Sequence, residues 1–441
     1  MLLPQTFGCN IAGVRRIVIA RMGGACHGAT QRDSLGAGIV GTSVALHLVK
    51  RGLAVALVDR RASSEETSYG NAGVIESDML LPYAFPSELL TLLRIAFKRA
   101  PEANYHLSFL PWAAPWLMAF RAASRPERLA ESARSMRPLF TQAVAEHETL
   151  LAAAGAGHYL RKNGWLKLYR TERAFAALGG AQFALAQELR VPLHTLDSEA
   201  AREVEPSLAP DFYRAVWCES AASVTNPLAV TCAYATRFTT LGGLFVSADA
   251  RSLHRANAQW RVDTAQGPLD AQEAVIALGP FAPDVLGPLG IRLPLGIKRG
   301  YHRHFRPNGN AALSRPVVDA ENGYCLAPME QGIRLTTGVE FAARDAPPTP
   351  VQLERVLPAA KRLFPLGDGV EATPWMGSRP CFPDSRPVIG RAPGHHGLWL
   401  AYGHAHWGLT LGPVTGRLIA EMMTGATPFV DPAPYAAERF G

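Results

Sequence analysis

No two of the six cysteines (Cys9, Cys26, Cys218, Cys232, Cys325 and Cys381) stand in C-x-x-C spacing. That excludes a paired-cysteine motif, and scattered single thiols fit a reducing, cytoplasmic compartment. No run reaches the ~18 apolar residues of a membrane-spanning helix. Met1 to Ile11 has no charged region ahead of a long apolar core, so no secretory signal peptide is expected. The 44 Lys and Arg residues exceed the 37 Asp and Glu, for a net charge of +7, but they are dispersed and form no compact basic block interleaved with aromatics. A nucleic-acid partner is therefore not expected, whereas a basic surface assisting a peripheral contact with the inner membrane agrees with the charge. A length of 441 residues allows a large core and two interleaved domains.

Against that background one segment stands out, from Gly36 to Asp59: GAGIVG, then TSVALHLVKRG, then LAVALVDR. Gly36, Gly38 and Gly41 have G-x-G-x-x-G spacing. Gly36 permits a tight turn, Gly38 lets backbone amides approach a pyrophosphate, and Gly41 lets the helix pack close to a sheet. Ile39 and Val40 open that helix, whose unpaired N–H groups and positive dipole end face the anion. Asp59 ends the second strand, placed to accept ribose hydroxyls, and Arg60 follows it in the same binding set. A dinucleotide cofactor is the first expectation.

One part of the unit does not fit. The residues before Gly36 are Ala29, Thr30, Gln31, Arg32, Asp33, Ser34 and Leu35, and a central parallel strand does not bury Arg32 and Asp33 cheaply. A better strand, Arg16 to Ala20, lies about fifteen residues too early and precedes the glycine-rich Met22 to Gly28. Either an insertion separates strand from turn, or residues 1–35 are an atypical N-terminal extension whose true strand is missing. The physics of a buried strand favours the second, with cofactor affinity reduced accordingly.

Glu66 to Ile75, ETSYGNAGVI, is dense in small residues. Ala72 and Gly73 would let the backbone pass close to a flat ligand, with Ser68 and Asn71 as hydrogen-bond donors. Taken together, GAGIVG, the acid ending strand two and ETSYGNAGV resemble the N-terminal signature of the FAD-dependent D-amino acid dehydrogenase and oxidase family. The resemblance implies an α/β chain, α+β overall, with a Rossmann-like FAD-binding domain and an inserted mixed-sheet substrate domain. The expected division assigns 36–81, 150–285 and 365–441 to the FAD-binding domain, and 82–149 and 286–364 to the substrate domain.

In the middle, Asn163 to Tyr169, Leu244 to Ser247 and Trp260 to Asp263 alternate as strands, and Asn226 caps a helix with Pro227 at its first position. Glu273 to Gly279 is an apolar strand running into a glycine, and it resembles the family strand that ends beneath the cofactor. Lys298 to His302 resembles the stretch leading into the substrate domain, where Tyr301 and His302 either approach the active site or hold the domain junction. Leu110 to Phe120 carries two Trp and is read either as a membrane-interface segment or as a buried substrate-domain helix.

The C-terminal third matches the family in order and spacing at Trp375–Pro380, Asp384–Gly390 and Leu398–Arg417. Leu398 to Tyr402 reads as a strand, followed by a loop and a helix opening near Leu411 with Pro413 in its first turn. The resemblance places Gly403, Gly408, Leu409 and Thr410 against the flavin, with the helix dipole facing the pyrimidine. Arg379, in the family's arginine-proline position, is the expected partner of a substrate carboxylate, because a guanidinium is planar, charged and bidentate. Arg386 is its competitor. His404 and His406 have no supporting ligand cluster for a metal and are expected to line the flavin face. Ala405 and Trp407 depart from the family pattern and would narrow the pocket.

The implied activity is oxidation of the CH–NH2 group of D-amino acids to imino and then keto acids, with reoxidation by a quinone, another carrier or oxygen. Two alternatives stand beside it. One is a sarcosine or glycine oxidase-like secondary amine oxidase, some of which bind flavin through a cysteine, with Cys381 in the neighbourhood. The other is a catalytically impaired nucleotide-binding protein, motivated by the polar first strand.

Overall fold

The computed structural model describes residues 31–61, 66–77 and 82–441. The better-looking strand Arg16 to Ala20, the stretch Met22 to Gly28, Cys9 and Cys26 lie outside the described residues. Contrary to expectation, Gln31–Leu35 forms a strand, β1, in the centre of a parallel sheet. It pairs on one side with β2, Ala54–Asp59, and on the other with Glu273–Ile276. The reading of residues 1–35 as an extension without a first strand is therefore corrected for 31–35.

The polar side chains are accommodated one at a time. Arg32 donates to Glu273 across the strand pair at 2.6 Å, and Ser34 donates to the Gly41 carbonyl at 3.0 Å. Asp33 is 1% exposed and finds no hydrogen-bond partner among the described residues. Burial, reinforced by the negative charge of Asp270, raises its pKa to about 7. Two fully paired backbone ladders thus outweigh one poorly placed carboxyl.

The parallel sheet runs Leu244–Ser247, β2, β1, Glu273–Ile276, Leu398–Tyr402, with Val388–Arg391 added antiparallel at the edge. On one face lies helix α1, Ile39–Val49, packed against the C-terminal helix Gly408–Met423. The two helices approach closely because Gly412 and Gly416 face Ile39 and Ser43; a Cβ on Gly416 would sit 2.6 Å from the Ser43 backbone.

A second, mixed sheet of eleven strands is organised by the long strand Gly296–Pro307, which pairs antiparallel with Trp375–Cys381. Strand membership cuts across the expected domain limits, since Leu366–Gly369 and Trp375–Cys381, within 365–441, also pair with Gly296–Pro307 in this sheet. Trp165–Tyr169, His194–Asp197 and Arg214–Cys218 belong to this large sheet, not to the parallel one. Pro126–Ala153 (α4 below), expected in the substrate domain, joins the core of the parallel sheet, because Met136, Leu139, Phe140, Ala143 and Leu150 make a continuous apolar stripe against α1 and the C-terminal helix. Before it come two shorter helices, α2 (Leu89–Ala96) and α3 (Leu110–Ala123), which precede α4 in the chain.

Candidate active site

A cavity of about 820 Å³ lies between the two sheets, at the upper end of the range for ligand sites. Its nucleotide end is the turn between β1 and α1. Gly36 has φ +105°, and a Cβ there would meet the Ala277 carbonyl oxygen at 2.7 Å. A Cβ on Gly41 would fall 1.8 Å from the Gly36 oxygen, so Gly41 acts behind the turn and not on the cavity wall. Gly38, Ile39 and Val40 line the wall. Asp59 accepts from the Ala37 and Arg61 N–H groups at 2.7 and 3.0 Å, which fixes its carboxylate beside the turn. Arg60 stands at the same end, its guanidinium 5.0 Å from the Phe281 ring.

The loop after Glu66 is pinned across this turn. Ser68 Oγ accepts from the Ile39 N–H at 3.0 Å, and Thr67 donates to the Ser378 carbonyl at 2.8 Å. Asn71, expected as a ligand donor, instead ties two loops: its amide donates to the His406 carbonyl at 3.2 Å and its oxygen accepts from the Gly73 N–H at 2.8 Å. Ala72 faces the cavity. Gly73 does not; its φ of +74° lets the loop press on the Val224 carbonyl, 2.4 Å from where a Cβ would be.

Gly279 borders the cavity just beyond strand Glu273–Ile276. Opposite, Gly403 passes so close to Phe382 that a Cβ would meet the ring at 2.2 Å. Gly408, Leu409 and Thr410 form the first turn of the C-terminal helix, three residues earlier than expected, so Pro413 lies inside the helix. Pro413 has no N–H for the Leu409 carbonyl four residues back. His147 fills that gap: its Nε2 donates to the Leu409 oxygen at 2.8 Å while Nδ1 accepts from the Tyr234 hydroxyl at 2.9 Å. Burial lowers the His147 pKa to about 4, which keeps the ring neutral in this arrangement. Nothing local in the sequence marks His147 as a support of this turn.

The other end of the cavity belongs to Arg379. Its guanidinium donates to the Gly338 and Thr337 carbonyls at 2.9 and 3.3 Å, and among the described residues no carboxylate pairs with it. Burial lowers its pKa, so an anion arriving there would meet a desolvated, oriented charge. Lys298 is its register partner on the adjacent strand, with the ammonium 4.1 Å from the Phe120 ring centre and 5.0 Å from that of Trp116. Sequence reasoning missed Lys298 and also Tyr83, which lines the cavity and stacks edge-on with His406. Arg386 is excluded as the carboxylate partner: it pairs with Asp384 at 3.0 Å and does not reach the cavity.

Tyr301 borders the cavity but its hydroxyl is engaged elsewhere. It donates to Glu340 at 2.6 Å and accepts from Arg299 at 2.9 Å, beside the buried Arg299–Glu340 ion pair. His302 stacks on Trp375 at 4.8 Å, away from the cavity. Both residues therefore serve the sheet junction. His404 and His406 do line the cavity. His404 is hydrogen-bonded to Thr415 at 2.9 Å and burial takes its pKa to about 3. His406 is pushed well below the usual histidine value by burial and by the charges of Arg379 and Lys298. Both rings are neutral at physiological pH.

Ala405 holds φ +52°, the left-handed conformation that the family's glycine would adopt freely. Trp407 does not narrow the pocket as expected; it is buried edge-on against Phe140, 5.4 Å away. Cys381 is buried, and burial raises its thiol pKa, which opposes the thiolate chemistry of a covalent flavin link. The Leu110–Phe120 segment divides between its two readings. Trp116 and Phe120 face inward, with the Trp116 indole donating to the Cys381 carbonyl at 3.0 Å, whereas Trp112 and Met118 are exposed.

The sequence model of the DAO family, FAD dependent oxidoreductases, matches residues 35–422. The chain belongs to the DAO family. It is 29% identical over 439 residues to a D-amino acid dehydrogenase of Cereibacter sphaeroides, covering 92% of this chain and 94% of that one. It is 33% identical over 297 residues to a glycine oxidase of Pseudomonas putida, covering 66% and 78%. An L-proline dehydrogenase from P. horikoshii shares the fold with a TM-score of 0.73 at 18% identity, over 93% of this chain and 98% of that one. As in the rest of the DAO family, FAD is the cofactor.

The residues present suit that group. The glycine turn and Asp59 can hold the adenosine and pyrophosphate, and the loop around Ser68 and Ala72 flanks the cavity toward its centre. The first turn of the C-terminal helix borders the same cavity and offers N–H groups that would be available to a bound flavin. No group of three metal-ligating side chains occurs among the described residues, and no described helix is long and apolar enough to cross a membrane.

Proposed function

We propose that the protein oxidises the CH–NH2 group of D-amino acids to the imino acid, which water hydrolyses to a keto acid and ammonia. The observation that carries this reading is the guanidinium of Arg379, buried in the cavity wall and held by two carbonyls with no carboxylate partner among the described residues. A substrate carboxylate would supply the missing charge, and its two oxygens match the fork of the guanidinium. Gly300 makes room: a Cβ there would lie 2.3 Å from the Arg379 guanidinium.

When bound, FAD would accept the hydride from the substrate Cα. The protein's part is orientation and exclusion of water. Arg379 anchors the carboxylate, while Phe85, Leu117, Phe120 and Phe341 supply an apolar wall for the side chain. With His404 and His406 neutral, the positive charge offered to an anionic substrate on that side comes from Arg379 and Lys298.

The experiment is anaerobic titration of the purified flavoprotein with D- and L-amino acids, glycine and N-methyl amines, following flavin bleaching. Selective bleaching by D-amino acids supports the reading. Bleaching by glycine or sarcosine alone would replace it with the secondary-amine alternative, to which the 33% identity with a glycine oxidase lends weight. The impaired-protein alternative has lost its motive, because β1 pairs on both sides.

A further inference from the structure

Arg379 is not the only cation in the cavity wall. Lys298 stands directly opposite it in the antiparallel pair of Gly296–Pro307 with Trp375–Cys381, so both side chains leave the same face of the sheet, and both line the cavity. Among the described residues no carboxylate pairs with Lys298, and its ammonium, with three N–H donors, has no protein acceptor there. The titratable groups whose fields reach it are Arg379, a like charge, and Cys381, held as a neutral thiol by burial. Two neighbouring cations with no acid between them are costly in a desolvated wall, and a ligand with two negative groups removes that cost.

The ammonium is held in place by rings of α3. It lies 4.1 Å from the centre of the Phe120 ring and 5.0 Å from that of Trp116. Trp116 stacks on Phe120 with centres 5.1 Å apart and is itself pinned by its indole donation to the Cys381 carbonyl at 3.0 Å. Contact with ring faces fixes one side of an ammonium and leaves N–H donors for an anion on the other.

The two cations diverge along the sheet. The Arg379 guanidinium lies against Gly300, where a Cβ would be 2.3 Å from it, and donates to the Gly338 and Thr337 carbonyls. The Lys298 ammonium lies by Trp116, and Trp116 covers Gly296, where a Cβ would meet the indole at 2.5 Å. Gly296 and Gly300 flank Lys298 on one strand and are about 13 Å apart at ~3.3 Å per residue. A carboxylate seated on Arg379 therefore leaves the ammonium to a second acidic group. Leu117, Phe120 and Phe341 make the wall on the Lys298 side apolar, which suits methylene groups that end in an acid.

We propose that Lys298 binds the side-chain carboxylate of the substrate, so that the preferred substrates are D-amino acids with an acidic side chain. This assignment rests on Arg379 as the anchor of the α-carboxylate and narrows the substrate class within that reading.

Two measurements on the holoenzyme test it. In the first, which needs no turnover, succinate and glutarate are titrated against butyrate and valerate, following the perturbation of flavin absorbance. The diacids are expected to bind at least ~10-fold more tightly, and K298M should lose that difference. In the second, kcat/KM for D-aspartate and D-glutamate is compared with that for the near-isosteric D-asparagine and D-glutamine. The acid-to-amide ratio should exceed one, fall at least ~10-fold in K298M and recover in part in K298R. Diacid preference in a protein whose flavin no D-amino acid bleaches would remove the D-amino acid reading and leave the second anion site standing. The proposal is overturned if wild type binds the diacids no better than the monoacids, or if the acid-to-amide ratio is below one. It is equally overturned if K298M keeps the wild-type ratio, because the charge then serves both substrate classes alike. Should K298M lose its flavin, the two wild-type comparisons decide.

Discussion

Arg379 lies against the backbone of Gly300, so close that a methyl group there would fall 2.3 Å from its Nη2. The site thus depends on a missing side chain as well as on a present one. R379K is expected to reduce kcat/KM for the amino-acid substrate by about 10- to 100-fold, the range lost when a bidentate charged contact is replaced by a point charge. G300A should raise KM by about tenfold by tilting the guanidinium. Steady-state kinetics alongside the flavin absorbance spectrum check both, since the nucleotide end is untouched and flavin content should not change.

Asp33 gives a pH signature of stability. Its folded pKa, about 7, lies above the usual 3.8, so the native state holds the proton more tightly than the unfolded chain. The favourable contribution is complete below pH 3.8 and disappears as pH rises through 7. D33N should therefore become more stable relative to wild type by up to about 1.4 kcal/mol per pH unit across that interval. Urea denaturation of the two proteins between pH 4 and 8 measures the gap; parallel curves would show that Asp33 is solvated.

The buried histidines act in the opposite direction. His404 and His147 have pKa values of about 3 and 4, below the unfolded 6.5. Their contribution is present above pH 6.5 and is lost as pH falls toward the folded values. H404N is expected to flatten the acid side of the stability curve, read from Tm between pH 4 and 7. Because His404 and His406 stay neutral, kcat should show no inflection from either between pH 6 and 8.

His147 and Pro413 are predicted to be coupled through the Leu409 carbonyl. H147L leaves that oxygen unpaired and should cost about 1 to 3 kcal/mol, with weaker FAD retention. P413A restores an N–H four residues on, so H147L/P413A should recover about 1 kcal/mol relative to the sum of the single changes. A double-mutant cycle in urea, with flavin release as a second reading, decides it.

The parts legible in the sequence were those whose mechanics are local. The turn at Gly36, Gly38 and Gly41, the acid at Asp59 and the strand at Leu398 to Tyr402 each need particular residues at fixed spacing, and the structure forms the turn and both strands at those residues. Arg379 is singled out in the sequence by the family's arginine-proline position, and Arg386 also precedes a proline; in the structure Arg386 is engaged by Asp384. β1 was misread because side-chain polarity was weighed alone, whereas backbone pairing to two neighbours decides the strand. Lys298, Tyr83 and His147 carry no local signal, since their roles come from partners 80 or more residues away. The α4 stripe repeats at helical spacing, and such a repeat does not say which sheet a helix covers.

β1 lies between β2, which follows it within thirty residues, and Glu273–Ile276, whose Glu273 meets Arg32 across a separation of 241 residues. Leu398–Tyr402 and the helix that completes the flavin side come later still. During synthesis, β1 and β2 must wait for most of the chain before the sheet can close, because long-range parallel pairing is slow and its loop-closure cost comes first. Cofactor loading is then a late event, and a nascent chain that ends before Leu398 would expose the unpaired parallel edge of Glu273–Ile276. Folding yield, more than native stability, is the quantity that this topology places at risk.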